Sequence, residues 1–154
     1  MSDFNASGRG NAVIQEYRMS KELTYEISIN QKEGYLHITA HGEVDLESIK
    51  RMYMAAVATP PYNQKLNLLW DFTDMNADNL STEDIREIVR HIQDESLIKE
   101  GSYSAVLVNK DFMYGMVRML QAIGDGILSP NIFVTKEPEE ARKWITEKRD
   151  QDPR

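Results

Sequence analysis

The stretch KLNLLWDFTDMNADNLSTEDIREIV, Lys65 to Val89, sets an apolar run against an acidic, Thr-bearing segment and then against a helix-like spacing. Leu66, Leu68, Leu69 and Trp70 stand almost without polar interruption, as in a strand covered on both faces by helices. Asp71, Phe72, Thr73 and Asp74 follow directly, and in open α/β sheets ligands gather where such strands end. Ser81 then precedes Ile85, Ile88, Val89 and Ile92, which share one helical face, and Asp84 lies three residues beyond Ser81 in an approximate capping box. The stretch predicts a strand, an acidic loop and a capped helix, with the junction as the working surface.

Working outward, Thr24 to Asn30 alternates Tyr25, Ile27 and Ile29 with Thr24, Glu26 and Ser28, a period-two strand pattern. Gln31 to Gly34 supplies turn chemistry, and Leu36 and Ile38 continue the alternation over Tyr35 to Ala40, so a hairpin is expected. From Asp45, a residue suited to an N-cap, the period changes: Leu46, Ile49, Met52, Tyr53, Ala56 and Val57 recur at helical steps until Pro60 and Pro61. Ala105 to Val108 reads as another buried strand within 103–109. Asp111 offers a cap to a third helix carrying Phe112, Met113, Met116, Val117, Met119, Leu120 and Ile123, which stops near Gly124, a residue able to turn left-handed. Ile132 to Val134 reads as a last strand. Ala141, Trp144 and Ile145 mark a closing helix, with Pro138 near its start and Lys148 and Arg149 near its end.

Helices alternating with strands demand crossovers, so the fold class is α/β: a mixed, mostly parallel five-stranded sheet with about four helices, the first strand joining antiparallel. Strand order stays open at this point. The organisation expected is a flexible arm over residues 1–21, one domain over 22–149 and a short tail over 150–154. The arm's mixture of Ser, Asn, Gly and charge buries too little to offset the entropy of ordering it.

With 18 basic against 25 acidic residues the formal charge is -7, which argues against nonspecific nucleic-acid binding. The chain has no cysteine, which removes disulfides, thiolate nucleophiles and thiolate metal sites together. No apolar run approaches the roughly 20 residues of a membrane span, and no signal-peptide pattern opens the chain, so a cytoplasmic protein is expected.

Element order, Gly42 to Asp45 opening the first helix, the strand end at Trp70 to Phe72, and above all SAVLVNKDFMYGMVRML followed by NIFVTKEPEEARKWI resemble the SpoIIAA-like family of the STAS group, over about residues 22–147. That resemblance implies a noncatalytic regulatory domain that binds protein partners, and in some members nucleotides or lipids. It also implies a phosphorylatable Ser or Thr at the start of the second helix, here within Thr73 to Thr82. The longer DFTDMNADNLST segment stands where the group's short Asp-Ser-Ser-Gly type junction would.

Sharper chemistry finds little footing. Asp71, Asp74 and Asp78 offer oxygen ligands to a hard cation, but the spacing lacks the Gly and the twelfth-position Glu of a calcium loop, and a solvated acidic loop is the plainer reading. Asp71 more often caps loop backbone than contacts a ligand. His37 and His41 on one strand sit roughly 13 Å apart, too far to share a metal. His91, beside Arg90, reads as a solvated or salt-bridged residue on the polar side of its helix. No nucleophile elbow or dinucleotide loop is present, and GDG at 124–126 reads as a helix stop. No cofactor is expected, and no enzyme.

The binding residues expected are Asp71, Thr73, Asp74 and Ser81 at the acidic junction, with Phe112, Met113, Tyr114 and Met116 as an exposed, adaptable face of the third helix. The partner expected is a protein, a second copy of the chain included. The alternative is a small apolar or lipid-like ligand held between the third helix and the strand ends.

Overall fold

The computed structural model describes residues 22–59, 66–94, 103–124 and 131–151. The expected arm over 1–21, the Pro60 and Pro61 helix stop, most of the GDG turn and the last tail residues lie outside them. The elements run β1 (Thr24–Asn30), β2 (Tyr35–Glu43), α1 (Leu46–Val57), β3 (Asn67–Asn76), α2 (Thr82–Asp94), β4 (Ser104–Leu107), α3 (Asp111–Ile123), β5 (Ile132–Thr135) and α4 (Pro138–Gln151). The strands form one sheet in the order β1-β2-β3-β4-β5, with β1 antiparallel to β2 and every other pair parallel. The expected α/β class, mostly parallel five-stranded sheet and four helices are all present.

Strand order follows chain order, so each crossover moves one strand further in the same direction. Such connections are right-handed in nearly all proteins, which puts their helices on one side of the sheet. The larger core accordingly joins Leu36, Ile38, Leu68, Trp70, Val106 and Val134 of the sheet to Met52 of α1, Ile85, Ile88 and Ile92 of α2, and Met113 and Met116 of α3. The opposite face is left to α4, whose Ala141 and Ile145 pack with Tyr35, Leu69 and Ala105. Leu68 and Leu69 thus point into different cores, which is why the run at Leu68 to Trp70 carries no polar alternation.

Polar ties lock α4 in place. Buried Asn67 accepts from the Tyr103 N–H at 3.1 Å and donates to the Ile145 carbonyl at 3.5 Å. Trp144 stacks on Phe133 at 5.2 Å and meets Tyr103 edge-on at 5.9 Å. Arg149 donates to the Lys32 carbonyl at 3.2 Å, over the β1–β2 turn. Gly34 closes that turn with φ 78°, a conformation that selects glycine, and the Arg149 side chain lies close over it.

Several boundaries differ from expectation. β3 continues through Asn76 rather than ending at Phe72, so Asp71, Thr73 and Asp74 belong to a strand and not to a loop. Met75, almost fully buried, anchors this extension, which the surrounding carboxylates conceal in the sequence. Asp111 does not cap α3: Lys110 occupies the cap, and Asp111, the first helical residue, pairs with Lys136. That ammonium, through its hydrogen bond and its charge, holds the Asp111 carboxyl below the usual carboxylate range. Gly124 ends α3 with φ −92°, not in the left-handed conformation.

Asp45 caps α1 as expected, accepting the Ser48 N–H at 2.8 Å while the Ser48 hydroxyl accepts the Asp45 N–H at 2.9 Å. The Ser48 backbone N–H, then its hydroxyl, hold the Asp45 carboxyl below its ordinary range. A folded pKa below the unfolded one contributes stability above the unfolded value of about 3.9, lost as pH falls through the folded value. Asp45→Ala is expected to lower stability by about 1 kcal/mol at pH 7 in urea unfolding. The gap between wild type and Asp45→Asn, which keeps an acceptor without the charge, should narrow as the pH is taken from 7 to 3.

Candidate functional site

The acidic segment of β3 carries a bulge. Thr39 pairs with Asp71 and His41 with Asp74, so two steps on β2 meet three on β3, and Phe72 and Thr73 stand opposite Ala40 alone. A bulge leaves an N–H without a ladder partner, and Asp71 supplies one: its carboxylate accepts from the Thr73 N–H at 3.1 Å and from the Thr73 hydroxyl at 2.7 Å. Asp74 lies 3.3 Å from the Nδ1 of His41 across the strand pair. By strand alternation Asp71 and Asp74 share the face of Leu69, on the α4 side, whereas Phe72 and Met75 face the three-helix core. α4 packs on β3, β4 and β5. The β1–β2 part of that face is polar, with Glu26 and Ser28 exposed and His37, Thr39 and His41 half-buried.

Ser81 and Asp84 form the expected capping box: the Asp84 N–H reaches the Ser81 hydroxyl at 3.1 Å, and the Ser81 N–H reaches the Asp84 carboxylate at 3.0 Å. Asn76 shapes the approach by accepting the Asp78 N–H at 2.8 Å. Ser81, Thr82 and Glu83 are exposed at this helix start.

On α3 the expected face splits in two. Met113 and Met116 are 4% and 8% exposed and belong to the core, so the reading of them as surface groups is corrected. Their neighbours Phe112 and Tyr114 are 49% and 37% exposed. The helix turns by about 100° per residue, so a run rich in apolar groups must show some of them to solvent. Spacing from Val117 and Leu120, four and seven residues after Met113, separates the inner set from the outer. Lys136 lies 6.0 Å from the Tyr114 ring centre, which ties the start of α3 to the end of β5.

Two adjoining cavities, each of about 100 Å³, lie beneath the helices and share Ile49, Phe72, Ile88 and Leu120 as walls. One sits where α2 and α3 meet the strand end and is lined by Met75, Leu80, Met113 and Met116. The other extends under α1 and α2 to Tyr53, Trp70, His91 and Ser104. Trp70 donates its indole N–H to the Ser104 hydroxyl at 3.2 Å and meets the Tyr53 ring edge-on at 5.6 Å. His91 is not on the solvated side of its helix, as its neighbour Arg90 suggested. It half-buries against this cavity and its Nε2 is enclosed without a hydrogen-bond partner. The three-residue step from Ile88 to His91 was the available signal.

The structure therefore separates the expected residues by face. Ser81, Phe112, Tyr114 and the buried Met113 and Met116 gather where α2 and α3 begin, with Leu80 and Met113 lining one cavity. Asp71, Thr73 and Asp74 share the C-terminal end of the strands but turn toward the α4 side. The described residues contain no group of three His, Asp or Glu side chains placed to hold a metal ion. No helix among them is long and apolar enough to cross a membrane.

No protein-family model matches the chain, and no curated protein does. Among solved structures it is similar to an uncharacterized DUF3478-family protein with a SpoIIAA-like fold from Shewanella loihica PV-4, with 17% identity, a TM-score of 0.50, and 80% of this chain and 93% of that one covered. It is also similar to an anti-sigma factor antagonist from Mycobacterium paratuberculosis, with 14% identity, a TM-score of 0.54, and coverage of 81% and 95%. The fold is thus SpoIIAA-like, as the sequence resemblance led one to expect. At such identities the likeness speaks for the fold.

The bulge assigns Asp71 a structural duty that can be measured. Asp71→Ala strips the acceptor from a half-buried N–H and hydroxyl and should lower stability by about 1 to 3 kcal/mol in urea unfolding, while Asp71→Asn, which retains an acceptor oxygen, should cost less than half of that. Equal stability of wild type and Asp71→Ala would show that the bulge needs no side-chain support.

Proposed function

We propose that the chain is a noncatalytic regulatory module that docks a protein partner, acting in the cytoplasm, through the rim where α2 and α3 begin. The observation that carries this reading is that two aromatic rings in the first turn of α3, Phe112 and Tyr114, are exposed on either flank of the buried Met113. Exposed aromatics on a rigid helix are the side chains that anchor protein interfaces at low entropic cost. Asp78, Glu83 and Asp84 lie at the neighbouring loop and helix start and exposed Lys110, Arg118 and Lys136 flank the rings, so the partner surface that fits combines apolar groups with a border of both charge signs. The fold shared with an anti-sigma factor antagonist supports a regulatory role by analogy.

A second reading, a carrier or sensor of a small apolar ligand, is favoured by the adjoining cavities, whose walls are aliphatic and aromatic except for His91, Ser104 and Lys50. Ile49 lines both, so Ile49→Trp would fill the shared wall. Native mass spectrometry of freshly purified protein separates the readings. A bound mass present in wild type and missing from Ile49→Trp supports the carrier, and a uniformly unliganded wild type opposes it.

For the docking reading, a photoreactive amino acid placed at residue 112 should attach one dominant protein in cells, and the same group at exposed residue 143 on α4 should not. With that protein purified, Phe112→Ala and Tyr114→Ala should each weaken binding by about tenfold or more, with no more than a small fall in unfolding temperature, since both rings are partly exposed. Binding indifferent to both substitutions would remove α3 from the interface.

A further inference from the structure

The two edges of the sheet are unlike. β5 is four residues long, and its Ile132 carbonyl accepts the Gln121 side chain at 2.6 Å. β1 is seven residues long, pairs with β2 in an unbroken register, and among the described residues nothing pairs with its outer side. Thr24, Tyr25, Glu26, Ser28 and Ile29 are all exposed. Apart from the single charge of Glu26, the devices that keep natural edge strands from pairing, such as Pro, Lys or a bulge, are missing from TYEISIN. Tyr25 and Ile29, 37% and 38% exposed, are two of the five exposed large apolar residues among those described.

We propose that β1 is a homodimer interface: a second copy of the chain adds its own β1 antiparallel to this one, across a two-fold axis at Ile27, and continues the sheet. The strand is self-complementary in that register. Tyr25 lies opposite Ile29 of the second copy and Ile29 opposite its Tyr25, Glu26 opposite Ser28, and Thr24 opposite Asn30. Tyr25 and Ile29 thereby become cross-strand partners of the aromatic and β-branched kind that stabilises antiparallel pairs. A two-fold axis normal to the sheet keeps opposed residues on the same face, so the register can slip only by two residues. A slip one way sets Glu26 directly against Glu26. A slip the other way sets Tyr25 against Gln31 and leaves Ile29 opposite Ile27. Only the register centred on Ile27 opposes all seven residues, matches both apolar side chains and opposes no like charges directly.

This surface is separate from the α2–α3 rim, which the dimer leaves free in each copy. The dimer therefore stands or falls independently of the docking reading.

The absence of cysteine from the chain makes the register testable by cross-linking. Tyr25→Cys with Ile29→Cys in one chain places each new thiol opposite the other type in the second copy. Within one chain the two are roughly 13 Å apart, as are Tyr25 and its own counterpart, so neither pair can close. Under air oxidation the double variant should run as a covalent dimer, twice the 17.8 kDa chain, on a non-reducing gel, and neither single variant should. Light scattering supplies the second test. Wild type and Tyr25→Lys with Ile29→Glu, which sets opposite charges face to face, should be dimers. Tyr25→Lys with Ile29→Lys should raise the dimer dissociation constant by at least about tenfold. No cross-link from the double cysteine variant, equal cross-linking by single variants, a monomeric wild type, or a dimer unaffected by the two lysines would each overturn the proposal.

Discussion

Burial of β3 on both faces is the constraint on which the other elements depend. Leu68 and Trp70 must meet one apolar layer and Leu69 another, so no single-sided arrangement satisfies this strand. Three crossovers in one direction supply the first layer, and among the described residues the helix after β5 supplies the second. α4 does so with few residues: Ala141 and Ile145 at the contact, Trp144 against Phe133 and Tyr103 at its border, and Asn67 satisfied from beneath. A fully buried Ile is worth roughly 1.5 to 3 kcal/mol, a large share of the stability of a domain this size.

The same constraint explains where polar chemistry is permitted. α4 packs over β3, β4 and β5, so beyond Leu69 the outward positions of β3 meet solvent and neighbouring polar side chains. Asp71 and Asp74 occupy them, one bracing the bulge and the other beside His41. The inward positions, Phe72 and Met75, stay apolar to the strand's end and become cavity walls. One strand thus divides its length between core and rim without losing its ladder to β2.

Much of this was legible from residues alone because it is local. Asp45 with Ser48 and Ser81 with Asp84 announce helix starts through side-chain hydrogen bonds that reach only three residues, and a linear pattern records such reach. The alternation of Tyr25, Ile27 and Ile29 likewise records a strand. The remainder depends on partners distant in sequence. The continuation of β3 past Phe72 rests on pairing with His41 and Gly42, and three nearby carboxylates make the segment read as loop. The inner and outer sets of α3 depend on where β4 and α2 lie, so methionines with the composition of an adaptable surface prove to be core. His91 follows Arg90 in sequence, but on a helix its neighbours lie three and four residues away, and Ile88 turns it inward.

In the proposed docking reading the contact surface rides on elements that the core already holds in place. The core fixes α2 and α3, and the rings of Phe112 and Tyr114 ride on that fixed frame, so binding needs little ordering. Amide hydrogen exchange of the chain with and without its purified partner tests this most directly. The account predicts new protection confined to residues 77–84 and 110–116, with the sheet unchanged. Protection that leaves those residues as they were and falls elsewhere on the molecule would contradict it.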